Sequence, residues 1–191
     1  MLLDVLRWHM LNVFLNYFMD NLYNKTKRIR NFISFVHSLL CVYQLCIRNF
    51  TFLHTISNSY YIYDSSLILV NCWKKEFMYI YHHFVSILLL LEFDKFKQYE
   101  LYQIYCIAEV SNFFSYIVYE MLKNGSSQKI IIKLKYAQVM WYVYFRVFYF
   151  TYFIFSKYNL YTNLKLYNQL GGFSIYLLGL GWTFNQYKLL I

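Results

Sequence analysis

The stretch YIYHHFVSILLLLEF, residues 79–93, sets two adjacent histidines, His82 and His83, in a run that is otherwise almost wholly apolar. Its reading turns on the solvent around it. A bilayer core of about 30 Å requires roughly 17 to 25 consecutive apolar residues of a helix. The 191-residue chain offers several such runs in succession, separated by short clusters of lysine and arginine. Composition agrees, with 60% hydrophobic, 24% aromatic and 14% charged residues. A soluble domain of this length exposes more charge.

Alternation of apolar runs with charged breaks predicts helical segments near 2–19, 32–53, 57–73, 77–93, 99–122, 136–156 and 171–190. The fold class implied is all-α: a multi-pass transmembrane bundle of six to seven helices around a central polar cavity. The first segment, within 1–24, carries Asp4, Arg7, His9, Asn12 and Asn16. It reads either as a span or as an interfacial amphipathic helix, and residues 25–191 then form one transmembrane domain.

The net charge of +9 sits mostly in the breaks. One alternate set holds Lys25, Lys27, Arg28, Arg30, Lys74, Lys75, Lys123, Lys129, Lys133, Lys135 and Lys188; the other holds Arg48, Lys95, Lys97, Lys157 and Lys165. Basic residues favour the cytoplasmic side, so the richer set, and with it the C-terminus, is expected in the cytosol. There the charge also attracts anionic lipid headgroups, and no nucleic-acid motif is present. The amino-terminal run carries charge in its middle and has no small-residue cleavage site after it, so it does not read as a signal peptide. Cys41, Cys46, Cys72 and Cys106 form no CxxC pair and read as small buried hydrophobes.

Ionisable groups inside hydrocarbon are costly and usually face the bundle interior. His37, His82 and His83 fall roughly 8 Å from the expected cytoplasmic side, and Asp64 and Arg146 roughly 14 Å. On the fifth segment Tyr102, Tyr105, Glu109, Asn112, Tyr116 and Glu120 recur at helical spacing, as do Tyr60, Asp64 and Asn71 on the third and Tyr142, Arg146 and Tyr149 on the sixth. These positions predict one polar chamber, with Arg146 paired to Glu109 or Asp64. In such a chamber a neutral imidazole can act as base or nucleophile while an aspartate fixes its tautomer, an arrangement suited to acyl transfer. His37, His82, His83 and Asp64 could also supply metal ligands. Adjacent histidines diverge by about 100° on a helix, unlike an HxxxH pair, so metal ranks below acyl transfer and no bound cofactor is expected. A proton pathway lined by His37, Glu109 and Asp64 is the remaining physical alternative.

The blocks KRIRNFISFVHSLL (27–40), SYYIYDSSLILV (59–70), YHHFVSILLL (81–90), AEVSNFF (108–114), YFRVFYF (144–150) and GLGWTFNQY (179–187) together resemble, in order, the signature blocks of the TLC-domain membrane proteins, the family of the ceramide synthases and TRAM. The resemblance runs from about residue 25 to the C-terminus. It implies a multi-pass protein of the endoplasmic reticulum with a lipid-accessible cavity. It also implies that His82, His83 and Asp64 are the catalytic candidates for joining the acyl group of acyl-CoA, as co-substrate, to a sphingoid amine. His37, Glu109, Asn112 and Arg146 would bind substrate, Arg146 and cytoplasmic lysines holding the CoA phosphates. Membrane lipids are the expected partners, nucleic acid is not, and self-association is compatible with the reading. Ceramide synthases carry a histidine directly before the aspartate and a second aspartate three residues after it. This chain has Tyr63 and Leu67 there, and so looks closer to the smaller TLC proteins associated with lipid synthesis or sensing.

Overall fold

The computed structural model describes residues 2–23, 26–71, 73–96 and 99–188. Lys25, Cys72, Lys97 and the end of the seventh expected segment lie outside the described residues, as do the side chains of Asn16, Asn71 and Lys75. All regular structure among the described residues is helical, in agreement with the all-α expectation. The chain divides into two compact units, Met1–Tyr99 and Glu100–Ile191.

The first unit contains α1 (Leu2–Tyr23), α2 (Thr26–Cys46), α3 (Phe50–Asn71) and α4 (Trp73–Phe96). Helix α3 packs against each of the other three, and residues 53–61 are accordingly all buried. The apolar run expected to continue to residue 53 stops at Cys46, because Arg48 adopts a left-handed φ of 55° and Asn49 begins a new helix. The Asn49 Oδ1 accepts the Phe52 backbone N–H at 3.2 Å, satisfying one of the donors that every helix start leaves open. Helix α3 therefore starts at Phe50, ahead of the expected residue 57, and gains a further buried turn. Helix α4 starts at Trp73 and is kinked at Glu76, whose dihedrals (φ −119°, ψ 21°) leave the helical region.

The second unit contains nearly all of α5 (Tyr99–Val110), then α6 (Phe113–Lys123), α7 (Gln128–Tyr142), a π-helical stretch (Val143–Tyr149), α8 (Phe150–Ser156), α9 (Tyr158–Thr162) and α10 (Leu166–Lys188). The single helix expected over 99–122 is broken at Ser111–Asn112. Its cause is visible in the hydrogen bonds: Ser111 Oγ donates to the Ala108 carbonyl at 2.6 Å, and Arg146 donates to that same carbonyl at 2.9 Å. Carbonyl capacity at the end of α5 is thus taken by side chains, and the expected polar stripe from Tyr102 to Glu120 does not run along one helix. Gly125, at a φ of 67°, turns the chain out of α6, so α7 begins at Gln128, ahead of the expected residue 136.

Among the described residues, two helical stretches, Lys27–Cys46 and Glu76–Phe96, are long and apolar enough to cross a membrane. Helices α1, α3 and α10 match them in length, and α3 carries more polar residues, Asp64 and several serines and asparagines among them.

Candidate functional site

On α2, Arg30, Ser34, His37 and Cys41 follow one another at steps of four, three and four, so they share one face of the helix. On α3, Ser57, Tyr60, Tyr61, Asp64 and Ser65 share another. Because the two helices run antiparallel through a short turn, these faces meet rung by rung. Arg30 donates from Nε to Asp64 Oδ1 and from Nη2 to Oδ2, the latter at 3.0 Å. Ser34 Oγ lies 2.6 Å from the Tyr60 hydroxyl. His37 Nε2 lies 3.2 Å from Ser57 Oγ and 3.2 Å from Cys41 Sγ.

Helix α4 closes the site from the third side. Its kink brings the Glu76 carboxylate to Arg30 Nη1, so one guanidinium bridges two carboxylates on two helices and the trio carries one net negative charge. About two turns further along, His83 Nε2 lies 3.6 Å from Asp64 Oδ2, and His83 Nδ1 lies 3.2 Å from Ser65 Oγ. Tyr61 stacks on the His83 ring with centroids 4.9 Å apart and planes at 28°, and Tyr60 stacks on His37 at 4.1 Å and 17°. His82 meets Tyr61 edge-on at 6.2 Å and stands 5.6 Å from its neighbour's ring. Asp64, His82, His83 and His37 are all buried.

The first unit therefore brings together four of the sequence-expected residues, His37, His82, His83 and Asp64, in one buried polar layer. Within the histidine doublet, His83 approaches the Asp64 carboxylate to ion-pairing distance. Glu109, Asn112 and Arg146 belong to the second unit. Glu109 and Arg146 are buried there and Asn112 is half-buried. The expected pairing of Arg146 with Glu109 or Asp64 gives way to a different arrangement. Asp64 is gripped by Arg30, while Arg146 donates from Nε to Ser111 Oγ at 2.8 Å and from Nη2 to the Ala108 carbonyl at 2.9 Å, with its guanidinium 5.5 Å from the Tyr142 ring centroid. Neutral acceptors win because they sit at the break between α5 and α6, where carbonyls lack helical partners.

Arg30, Glu76, Ser65 and Tyr61 join this site without being marked in the sequence as parts of it. Arg30 was countable as a cytoplasmic charge, yet its spacing from Ser34, His37 and Cys41 was the available signal that it points inward. Of the cysteines, Cys41 is buried as expected but hydrogen-bonds to His37 and Ser57, Cys106 is buried, and Cys46 is exposed. Among the described residues no group of three or more His, Cys, Asp or Glu side chains is placed to hold a metal ion. What the layer offers chemically is an imidazole set between a carboxylate and a hydroxyl, with the carboxylate fixed by a bidentate arginine. No family model, no curated protein and no solved structure matches the chain.

Proposed function

We propose that the protein is a multi-pass membrane protein of the TLC-domain type, at home in the endoplasmic reticulum with its C-terminus in the cytosol. Its proposed activity is the transfer of a fatty acyl group from acyl-CoA to a sphingoid-type amine. The observation that carries this reading is the position of His83, 3.6 Å from Asp64 on one ring nitrogen and 3.2 Å from Ser65 on the other. A neutral imidazole in that setting can take a proton or attack a thioester, and the carboxylate stabilises the imidazolium that results. The membrane part of the reading is supported by the two apolar helices and by large apolar side chains that face outward, such as Val70 at 83% and Phe155 at 76% exposure. Apolar surface of that kind requires lipid or protein against it.

The test is turnover. Purified protein supplied with labelled acyl-CoA and a sphingoid base is expected to give N-acylated product, and His83→Ala to abolish it. Equal product from the wild type and from His82→Ala and His83→Ala would remove both histidines from the mechanism.

A second reading, a lipid sensor that uses the same layer without turnover, is favoured by one feature. Both Asp64 oxygens are already engaged by Arg30, and 3.6 Å to His83 is longer than a hydrogen bond. Such a protein would retain acyl lipid stoichiometrically and release no product.

A further inference from the structure

Hydroxyl groups inside helices often donate to the carbonyl four residues back, and several on α2 and α3 do so. Ser34 bonds Arg30, Thr55 bonds Thr51, Ser59 bonds Thr55 and Ser66 bonds Ile62, at 2.7 to 3.0 Å. Ser65, like Ser57 beside His37 and Cys41, reaches to another helix instead. Its Oγ turns to His83 Nδ1 at 3.2 Å, while the opposite nitrogen of the same ring faces Asp64 Oδ2 at 3.6 Å. Hydroxyl, imidazole and carboxylate thus stand in sequence, with the ring turned so that Nε2 faces the carboxylate and Nδ1 the hydroxyl. Either tautomer of imidazole has one N–H and one lone pair. With the N–H toward Asp64, the lone pair is left for the serine proton, which is the division of labour of a Ser-His-Asp set.

The surroundings hold that geometry. Tyr61 stacks on the His83 ring, and Arg30 fixes the carboxylate from the far side. Exposure decides which member meets substrate: Asp64 and His83 are 1% and 4% exposed, whereas Ser65 is only half-buried. The hydroxyl is the group through which this set reaches outward.

We propose that Ser65 is the acyl-accepting nucleophile, activated by His83 with Asp64 orienting the ring, and that it carries the chain of a fatty acyl thioester as a serine ester. The inference rests on the acyl-transfer reading and names the atom that reading leaves open. In the first half, a bond forms between Ser65 Oγ and the acyl carbon and the carbon–sulfur bond breaks. The hydroxyl proton passes to His83 Nδ1 and from there to the departing thiolate, which leaves as a thiol. In the second half the acceptor amine attacks the ester carbon and the bond to Oγ breaks. The proton lost by nitrogen returns through His83 to Ser65.

The experiment uses the full chain in detergent, palmitoyl-CoA as acyl donor and intact-protein mass with peptide mapping. The expected result is a gain of one palmitoyl group on the peptide containing Ser65, stable to neutral hydroxylamine and released by alkaline hydroxylamine, as an oxygen ester is. Ser65→Ala abolishes the adduct and lowers product formation by roughly 10²-fold or more, as loss of a positioned nucleophile–base pair would. Ser65→Cys restores an adduct, now cleaved at neutral pH, which excludes misfolding as the cause of the loss, and Ser66→Ala leaves the adduct unchanged. An adduct on a histidine, with Ser65→Ala turning over as fast as wild type, would overturn the inference and leave the acyl-transfer reading standing. No adduct and no N-acylated product from the wild type would overturn both.

Discussion

Arg30 on α2 holds Asp64 on α3 through two parallel hydrogen bonds and reaches Glu76 at the kink of α4 with its third nitrogen. One side chain thereby ties three helices at the mouth of the polar layer that contains His83. A carboxylate that is 1% exposed is tolerable only with such a partner, because an unpaired buried charge loses hydration without recompense.

Removing the cation should therefore be severe. Arg30→Met leaves Asp64 buried and uncompensated, and a loss of about 3–5 kcal/mol is expected, read as a lower midpoint in denaturant unfolding of the detergent-solubilised protein. The double variant Arg30→Met with Asp64→Leu should recover most of it, since apolar replacement of a whole buried pair is often close to neutral. A double variant no more stable than Arg30→Met would show that the pair is not coupled.

The rungs deeper in the first unit predict a small effect for one tyrosine and a large one for its neighbour. Tyr60→Phe deletes the hydroxyl 2.6 Å from Ser34 Oγ while preserving the stack on His37, and should lower stability by about 1 kcal/mol. Tyr61→Ala removes a buried ring that stacks on His83 and should lower it by about 3–5 kcal/mol. Thermal unfolding of the two variants side by side checks the order, and a larger loss for Tyr60→Phe would contradict the packing described.

The second unit offers a steric test. A Cβ at Gly179 would stand 3.5 Å from Arg146 Cδ and 3.8 Å from Nη1, which is ordinary contact. Gly179→Ala should accordingly fold without penalty, and a helix interior gains up to about 1 kcal/mol from that exchange. Gly179→Leu must push against the Arg146 side chain and should cost about 1–3 kcal/mol. If the alanine variant were the more damaged of the two, α10 would not lie against Arg146 as it does here.

How far the sequence could be read is clearest at individual residues. The apolar runs made the chain all-helical, and the interruption of one run by His82 and His83 marked α4 as a helix with a polar face; the structure has both. Asp64 and His37 were legible for the same reason, as polar groups at helical spacing among apolar ones. Arg30 was not, because a basic residue near a helix start satisfies the topology rule equally well outside the bundle, and only packing reveals that it reaches across to α3. Ser65 was hidden by the ambiguity of serine, whose hydroxyl can return to its own helix as Ser66 does or reach another. The break at Ser111 arises from side chains competing for a backbone carbonyl, and periodicity carries no record of that competition.

Membrane integration is the prediction on which the wider reading depends. The outward faces of α3, α7 and α8 display Val70, Met140 and Phe155, each more than two-thirds exposed at 83%, 69% and 76%, and water is a poor solvent for such surfaces. The full chain, expressed in cells with an endoplasmic reticulum, should therefore remain in the membrane pellet through alkaline carbonate and high-salt washing and leave it only with detergent. Helices that cross the bilayer also protect their connections unequally. A glycosylation acceptor inserted at Gly125, in a connection expected to be cytosolic from the lysines around it, should stay unmodified, while one inserted at Lys157 should be modified. Release of the chain by carbonate would reduce the outward apolar faces to protein-docking surfaces, and modification at Gly125 would invert the topology.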